Sequence, residues 1–299
     1  IGEEQIQPWE DFLREVDQLG EDEGICIYEL RGGPPSKIYM DDVNEGVVLP
    51  TDLVIKATHE EVDFMNKRGL WLLASVKECF AKTGRPPVSV RWVRTNKAHP
   101  VGTDIRCRLV ARDFKAGEKG RDDLFAETPP LEAKRILLSR AATQRKDGKW
   151  RSLMFIDAKK AHLNPKCEDD VYIDLPEEVG AEKGMCGKLV HWLYGFRPAA
   201  AAWEKFYAEK FESKGFIRGL TCGVVFYHPQ LDVSMAVHGD DFTLCGLESD
   251  LWKVKKWMDE WFEVKVRGVL GGNDRSQTEV TILGRTVEWT PEGIKYRAD

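Results

Sequence analysis

Residues 235–242 read Met235-Ala236-Val237-His238-Gly239-Asp240-Asp241-Phe242, and the fold turns on how this stretch is read. Apolar runs flank it on both sides, 233–237 before the acids and 242–245 after them. Two short strands joined by a tight turn account for this pattern. Gly239 stands where a type II′ hairpin needs a positive φ at its first central position. The stretch therefore predicts a hairpin with Asp240 and Asp241 at its tip. Paired carboxylates on a rigid tip are one way to hold divalent cations.

The chain has three other Asp-Asp pairs, at 41–42, 122–123 and 169–170. Acidic residues are common in solvated turns, so a pair alone says little. The 240–241 pair differs because apolar runs enclose it. Like charges placed there repel and cost stability unless a cation neutralises them.

Length and composition bound the possibilities. A chain of 299 residues can form one large domain or two ordinary ones, and ten tryptophans allow a sizeable core. No apolar run approaches the ~20 residues of a membrane helix. The start, Ile1-Gly2-Glu3-Glu4-Gln5, carries no signal peptide and no initiator methionine, which suggests a piece of a longer chain. Seven scattered cysteines without a Cys-x-x-Cys argue against a zinc site or a disulfide framework, and for a reducing, intracellular setting.

The net charge of −6 hides an uneven distribution. Residues 1–63 hold 17 acids and 4 bases, whereas residues 85–121 hold 10 bases and 3 acids. The basic block suits a polyanion partner, with a merely solvated surface as the alternative. Within it, 88–95 and 104–114 read as strands. Alternation in the second puts Arg106, Arg108, Val110 and Arg112 on one face, and the guanidinium fork suits phosphate.

Elsewhere, 1–57 reads as an acidic linker with a short helix at 8–18. Residues 58–70 read as a helix bearing Val62, Met65 and Leu70, and 71–75 as a strand. Residues 131–144 read as a helix burying Ile136, Leu137 and Ala141. A buried strand over 150–157 ends in Asp157. Residues 171–175 and 188–193 read as short strands, and 199–214 as a helix carrying Trp203, Phe206, Tyr207 and Phe211. Leu251, Val254, Met258 and Trp261 mark a helix with Ser249 placed to cap it. Strands at 278–288 and 293–296 close the chain. Helices and strands mix without β-α-β alternation, so the class is α+β. Asp157 beside the 240–241 hairpin would bring three carboxylates to one sheet edge, the set that two-metal phosphoryl transfer uses. No P-loop, Gly-x-Ser-x-Gly or zinc-spaced histidine pair offers another chemistry.

Ordered blocks over residues 58–298 resemble the reverse transcriptase of copia-type (Pseudoviridae-like) LTR retrotransposons. Val90-Arg91-Trp92-Val93 with Arg106-Cys107-Arg108-Leu109-Val110-Ala111-Arg112 is similar to a fingers block of that family. Phe125-Ala126-Glu127-Thr128-Pro129 with Arg135-Ile136-Leu137-Leu138 follows. Ile156-Asp157-Ala158-Lys159-Lys160-Ala161-His162-Leu163-Asn164, with Val171-Tyr172-Ile173, resembles the first catalytic block. Leu193-Tyr194-Gly195 with Ala202-Trp203 comes next, and Val237-His238-Gly239-Asp240-Asp241 stands where the family has Tyr-Val-Asp-Asp. Ile282-Leu283-Gly284 completes the series.

The resemblance implies a right-hand polymerase: fingers over 58–150, palm over 151–299, part of the fingers inserted at about 165–200, an antiparallel palm sheet packed on helices, and a thumb largely absent. It implies RNA-directed DNA polymerase activity of a Pol polyprotein, with two Mg²⁺ ions (Mn²⁺ as a substitute) on Asp157, Asp240 and Asp241. It places Arg106, Arg108, Lys160, Ala161, His162, Tyr194 and Gly195 around the incoming dNTP, and His238 and Gly239 beside the primer end. The partners it implies are an RNA or DNA template–primer, dNTP, and integrase and RNase H segments of Pol, with no membrane. The implied location is intracellular, in a cytoplasmic retrotransposon particle or the nucleus. His162 replaces an aromatic that screens the ribose 2′-OH, Pro198-Ala199-Ala200-Ala201 replaces Gln-Ala-Pro-Arg, and Gly239 replaces a valine. These departures leave a second expectation open: a decayed or domesticated nucleic-acid-binding module of the same fold.

Overall fold

The computed structural model describes residues 38–113, 126–271, 277–282 and 284–298. The helix expected at 8–18 and most of the acidic segment lie outside them. The chain divides into two compact units. The first comprises the described part of 1–68 with 90–110 and 175–182, and the second comprises 69–89, 111–174 and 183–299.

In the first unit, strands β1 (Tyr39–Met40) and β2 (Val48–Leu49) form a small antiparallel ribbon ahead of helix α1 (Thr51–Arg68). The helix starts seven residues before the expected position. Its buried stripe, Val54, Thr58, Glu61, Val62 and Met65, keeps helical spacing but includes two polar residues that disguised it. Leu70, read as part of that helix, is buried beyond its end. Strands β4 (Val90–Asn96) and β5 (Ile105–Ala111) pair as the predicted two-stranded element. Arg106 and Arg108 are exposed while Cys107 and Leu109 are buried, as alternation requires. Arg112 lies past the end of the strand.

The second unit is built on a six-stranded sheet. Its members are β6 (Ser152–Ala158), β9 (Ile217–Arg218), β10 (Val225–His228), β11 (Val233–His238), β12 (Asp241–Gly246) and β13 (Val264–Leu270). The order across the sheet is β13-β6-β12-β11-β10-β9, and every neighbour pair is antiparallel. A smaller sheet joins β3 (Trp71–Ser75), β8 (Met185–Leu189) and β7 (Tyr172–Ile173), with helix α2 (Val76–Thr83) packed on it. The strand expected at 188–193 sits earlier because Trp71 to Ser75 pair in register with Leu189 to Met185.

Each face of the large sheet has its own cover. On one, helices α4 (Pro198–Ser213) and α5 (Glu248–Trp261) bury Trp203, Tyr207, Phe211, Leu251, Val254 and Met258 against Met154, Ile156, Phe242 and Leu244. The rings meet mostly edge to face, with Trp203–Phe262 at 5.0 Å and Tyr207–Phe242 at 5.5 Å between centroids. Such pairs add roughly 0.5–1.5 kcal/mol each beyond their area. On the other face lie helix α3 (Leu131–Ala141) and an antiparallel meander of β14 (Glu279–Ile282), β15 (Arg285–Thr290) and β16 (Gly293–Ala298).

Several local expectations are corrected. Ile136 is 60% exposed, since α3 packs on the sheet through Leu137, Leu138 and Ala141. Helix α5 starts at Glu248 with Leu247 as its cap and no capping side chain, so Ser249 is already inside the helix. The strand expected at 278–288 is a hairpin, broken after Ile282 at Gly284 with φ +65°. Mixed helices with antiparallel sheets make the fold α+β.

Candidate functional site

The hairpin forms as the sequence predicts. His238 pairs with Asp241 across β11 and β12, leaving Gly239 and Asp240 as the two turn residues. Gly239 has φ +63°, whereas Asp240 is not in the left-handed region, which fits a type II′ turn. Two hydrogen bonds tie the tip down. The amide of Ala158 on β6 donates to the Asp240 carbonyl at 2.8 Å, and the buried indole Nε1 of Trp203 donates to the Gly239 carbonyl at 2.9 Å.

Register then sets the acids side by side. Asp241 on β12 is the direct partner of Asp157 on β6, and Lys265 on β13 is the partner of Asp157 on its other side. A row His238–Asp241–Asp157–Lys265 crosses four strands. Directly paired residues share a face of a sheet, and here it is the face that α3 and the meander cover. Asp241 is the most perturbed member. Its burial, with the charges of Asp240 and Asp157, pushes it up to about 6. Burial lowers Lys134 on α3, and the charge of Asp241 opposes that shift. Burial and Lys134 also lower His238, whose Nδ1 is enclosed without a hydrogen-bond partner.

The three cations of this site, Lys134, Lys265 and Arg267, are absent from the sequence reading. Arg267 donates from Nη2 to Asp157 Oδ1 at 2.6 Å. Strand β13 was not expected, although Val264 and Val266 alternating with Lys265 and Arg267 is a period-two signal. Trp203 stands in the sequence as part of an aromatic helix and of the family block at 193–203, and nothing in its spacing announces the bond to Gly239.

The other expected residues divide between the two units. Lys160 has φ +50° and caps a short 3₁₀ turn, 161–163, directly after β6. Ala161 is buried in the core, so only its backbone faces away from the packing. His162 meets Tyr194 edge to face at 5.9 Å, so these two are brought together. Gly195 is exposed with φ +87°. Arg106 and Arg108 belong to the first unit, where Arg106 pairs with Asp104 at 2.9 Å.

Asp157, Asp240 and Asp241 are hard oxygen donors, the class that suits Mg²⁺. The cations around them, Arg267 bonded to Asp157 and Lys134 acting on Asp241, mark a place of cation demand. Among the described residues, no group of three or more His, Cys, Asp or Glu is drawn together tightly enough to hold a metal ion. The donor types fit a divalent ion, while the carboxylates stand as an open row rather than a closed cage. No helix among the described residues is long and apolar enough to cross a membrane. Residues 79–272, well over half of the chain and inclusive of all three aspartates, match the family described as reverse transcriptase (RNA-dependent DNA polymerase), and the chain belongs to that family.

Proposed function

We propose that the chain is the fingers-and-palm region of a copia-type retrotransposon reverse transcriptase that extends a primer with dNTPs. The observation that carries this reading is the register pair Asp157–Asp241, with Asp240 in the adjoining turn, inside the matched family region. Asp157, Asp240 and Asp241 would hold two Mg²⁺ ions, which activate the primer 3′-OH and steady the leaving oxygen when bound. The protein's own part is positioning. Two central strands hold Asp157 and Asp241 opposite each other, and the bonds from Ala158 and Trp203 stop the turn from swinging. Gly239 and His238 would lie beside the primer end. Lys160, the Ala161 backbone, His162, Tyr194 and Gly195 would line the nucleotide site, and the guanidiniums of Arg106 and Arg108 are of the kind that binds phosphate. Template–primer and the other Pol segments, integrase and RNase H, are its partners in this reading, and a retrotransposon particle or the nucleus its location.

The test is primer extension on primed RNA with Mg²⁺ and dNTPs. Asp157→Asn and Asp241→Asn are each expected to lower the rate at least a hundredfold. Near-normal extension by either variant would sink the site assignment. A parallel reaction with rNTPs reads sugar selection at His162. The second reading, a nucleic-acid-binding module without catalysis, draws support from the bond between Arg267 and Asp157. It predicts salt-sensitive binding of primed template with no incorporation by the unaltered chain.

A further inference from the structure

The bond between Arg267 and Asp157 comes from an irregular stretch of β13. Its pairing with β6 runs Val264↔Ala158, Lys265↔Asp157 and Val266↔Ile156, and then skips to Gly268↔Phe155. Arg267 is the extra residue of a β-bulge. Val264, Val266 and Val269 pack toward the aromatic core. Lys265 is thereby left on the acid face, and Arg267 reaches it too through its bond. A regular strand would set Arg267 opposite Phe155, on the face of Asp157 and diagonal to it, within the reach of an arginine. The bulge instead leaves Arg267 unpaired between Val266 and Gly268. Gly268 permits this, because a Cβ there would lie 2.4 Å from both Gln277 and Val280.

The result is a built-in cation on one of the acids. The carboxylate of Asp157 is largely buried, at 18% exposure, and Arg267 is about half exposed, so the guanidinium can swing outward without unfolding anything. We propose that Arg267 is a resident counter-ion of the acid row, which holds Asp157 in the metal-free protein and competes with the divalent ion for that carboxylate. Loading is then an exchange, in which the guanidinium leaves Asp157 as the ion arrives, and not a simple addition. This rests on the metal-binding reading of Asp157, Asp240 and Asp241 given above.

The competition can be read without any turnover. Mn²⁺ is titrated into the full chain without nucleic acid, and free Mn²⁺ is followed by electron paramagnetic resonance. Arg267→Gln is expected to bind Mn²⁺ about fivefold more tightly than the unaltered chain, on the scale of a partly exposed ion pair. Lys265→Gln removes the same charge from the position opposite Asp157 and is expected to change affinity less than twofold. Arg267→Lys keeps the charge, loses the fork and should fall between. In chelator, Arg267→Gln should melt below the unaltered chain, and added Mn²⁺ should raise its melting temperature by more. Equal or weaker Mn²⁺ binding by Arg267→Gln overturns the proposal, as does an equal gain in Lys265→Gln, which would mean general electrostatics. Asp241→Asn separates the two levels. If it loses Mn²⁺ affinity while Arg267→Gln gains none, only the exchange fails; if it binds as the unaltered chain does, the site reading fails and takes the exchange with it.

Discussion

Asp41 and Asp241 are both enclosed aspartates next to a second aspartate, one in each unit, and their surroundings push them in opposite directions. Asp41 is 7% exposed. It accepts from the amides of Val43, Asn44 and Asn96 and from the Asn44 side chain, all at 2.7–2.9 Å. Burial works against its charge, but these donors outweigh it and hold Asp41 well below the usual carboxylate range. Its neighbour Asp42 accepts from the Arg94 amide at 2.6 Å and faces Arg91. Asp241 has the opposite company: burial and two further carboxylates, which raise it to about 6. The first pair is supplied with donors and staples a ribbon to a hairpin. The second brings carboxylates together in a buried place where Arg267 and Lys134 offset only part of their charge, a pattern found at sites kept for a ligand rather than for stability.

The difference can be broken at four points. Asp41→Ala strips four donors of their acceptor and is expected to cost about 3 kcal/mol in denaturant unfolding at pH 7. The folded value of Asp41 is depressed, so its contribution is complete above the unfolded value near 4 and is lost as pH falls below that. The gap between variant and unaltered chain should therefore narrow below pH 4; a gap that stays constant would remove the charge from the explanation. Trp203→Phe keeps most of the ring packing but leaves the Gly239 carbonyl without its donor. A loss of about 2 kcal/mol is expected, together with slower primer extension from a looser turn; full activity would show that the indole bond is not needed.

Asp241→Asn should act in the reverse sense. A carboxylate whose folded value is raised costs stability as pH climbs from the unfolded value near 4, and the cost is complete above about pH 6. In chelator at pH 7.5 the variant should be more stable by about 1–2 kcal/mol, and the gain should shrink as pH falls from about 6 and vanish below about pH 4, where both states are protonated. A melting series over pH checks this, and a variant less stable at every pH would refute the strain assigned to Asp241. Gly239→Ala is the smallest change. Space is open around a Cβ there, so only the positive φ resists, for about 1 kcal/mol.

Much of the second unit was legible in the chain. Apolar runs mark β11 and β12, a turn glycine marks the tip, and another apolar run marks the strand carrying Asp157, because these features follow from local backbone geometry. The helix with Trp203, Tyr207 and Phe211 was legible for the same reason. The start of α1 was not, since Thr58 and Glu61 occupy buried positions normally read as surface. Nor was Ile136, because only the partner surface decides which side of an apolar helix is covered. Of the Asp-Asp pairs, the sequence context singled out 240–241, whereas the anchoring at 41–42 depends on Asn96 and Arg94, more than fifty residues away.

The sequence by itself determined that Asp240 and Asp241 sit on a hairpin tip, since turn chemistry and short apolar runs are properties of neighbouring residues. Only the tertiary structure decided what surrounds them. The register of β6 against β12 set Asp157 beside Asp241, the fold of β13 beside β6 brought Arg267 to Asp157, and the packing of helix α4 on the sheet brought the Trp203 indole to the Gly239 carbonyl. Each of these joins residues dozens of positions apart, and burial, which no local pattern contains, sets the charge each of them meets.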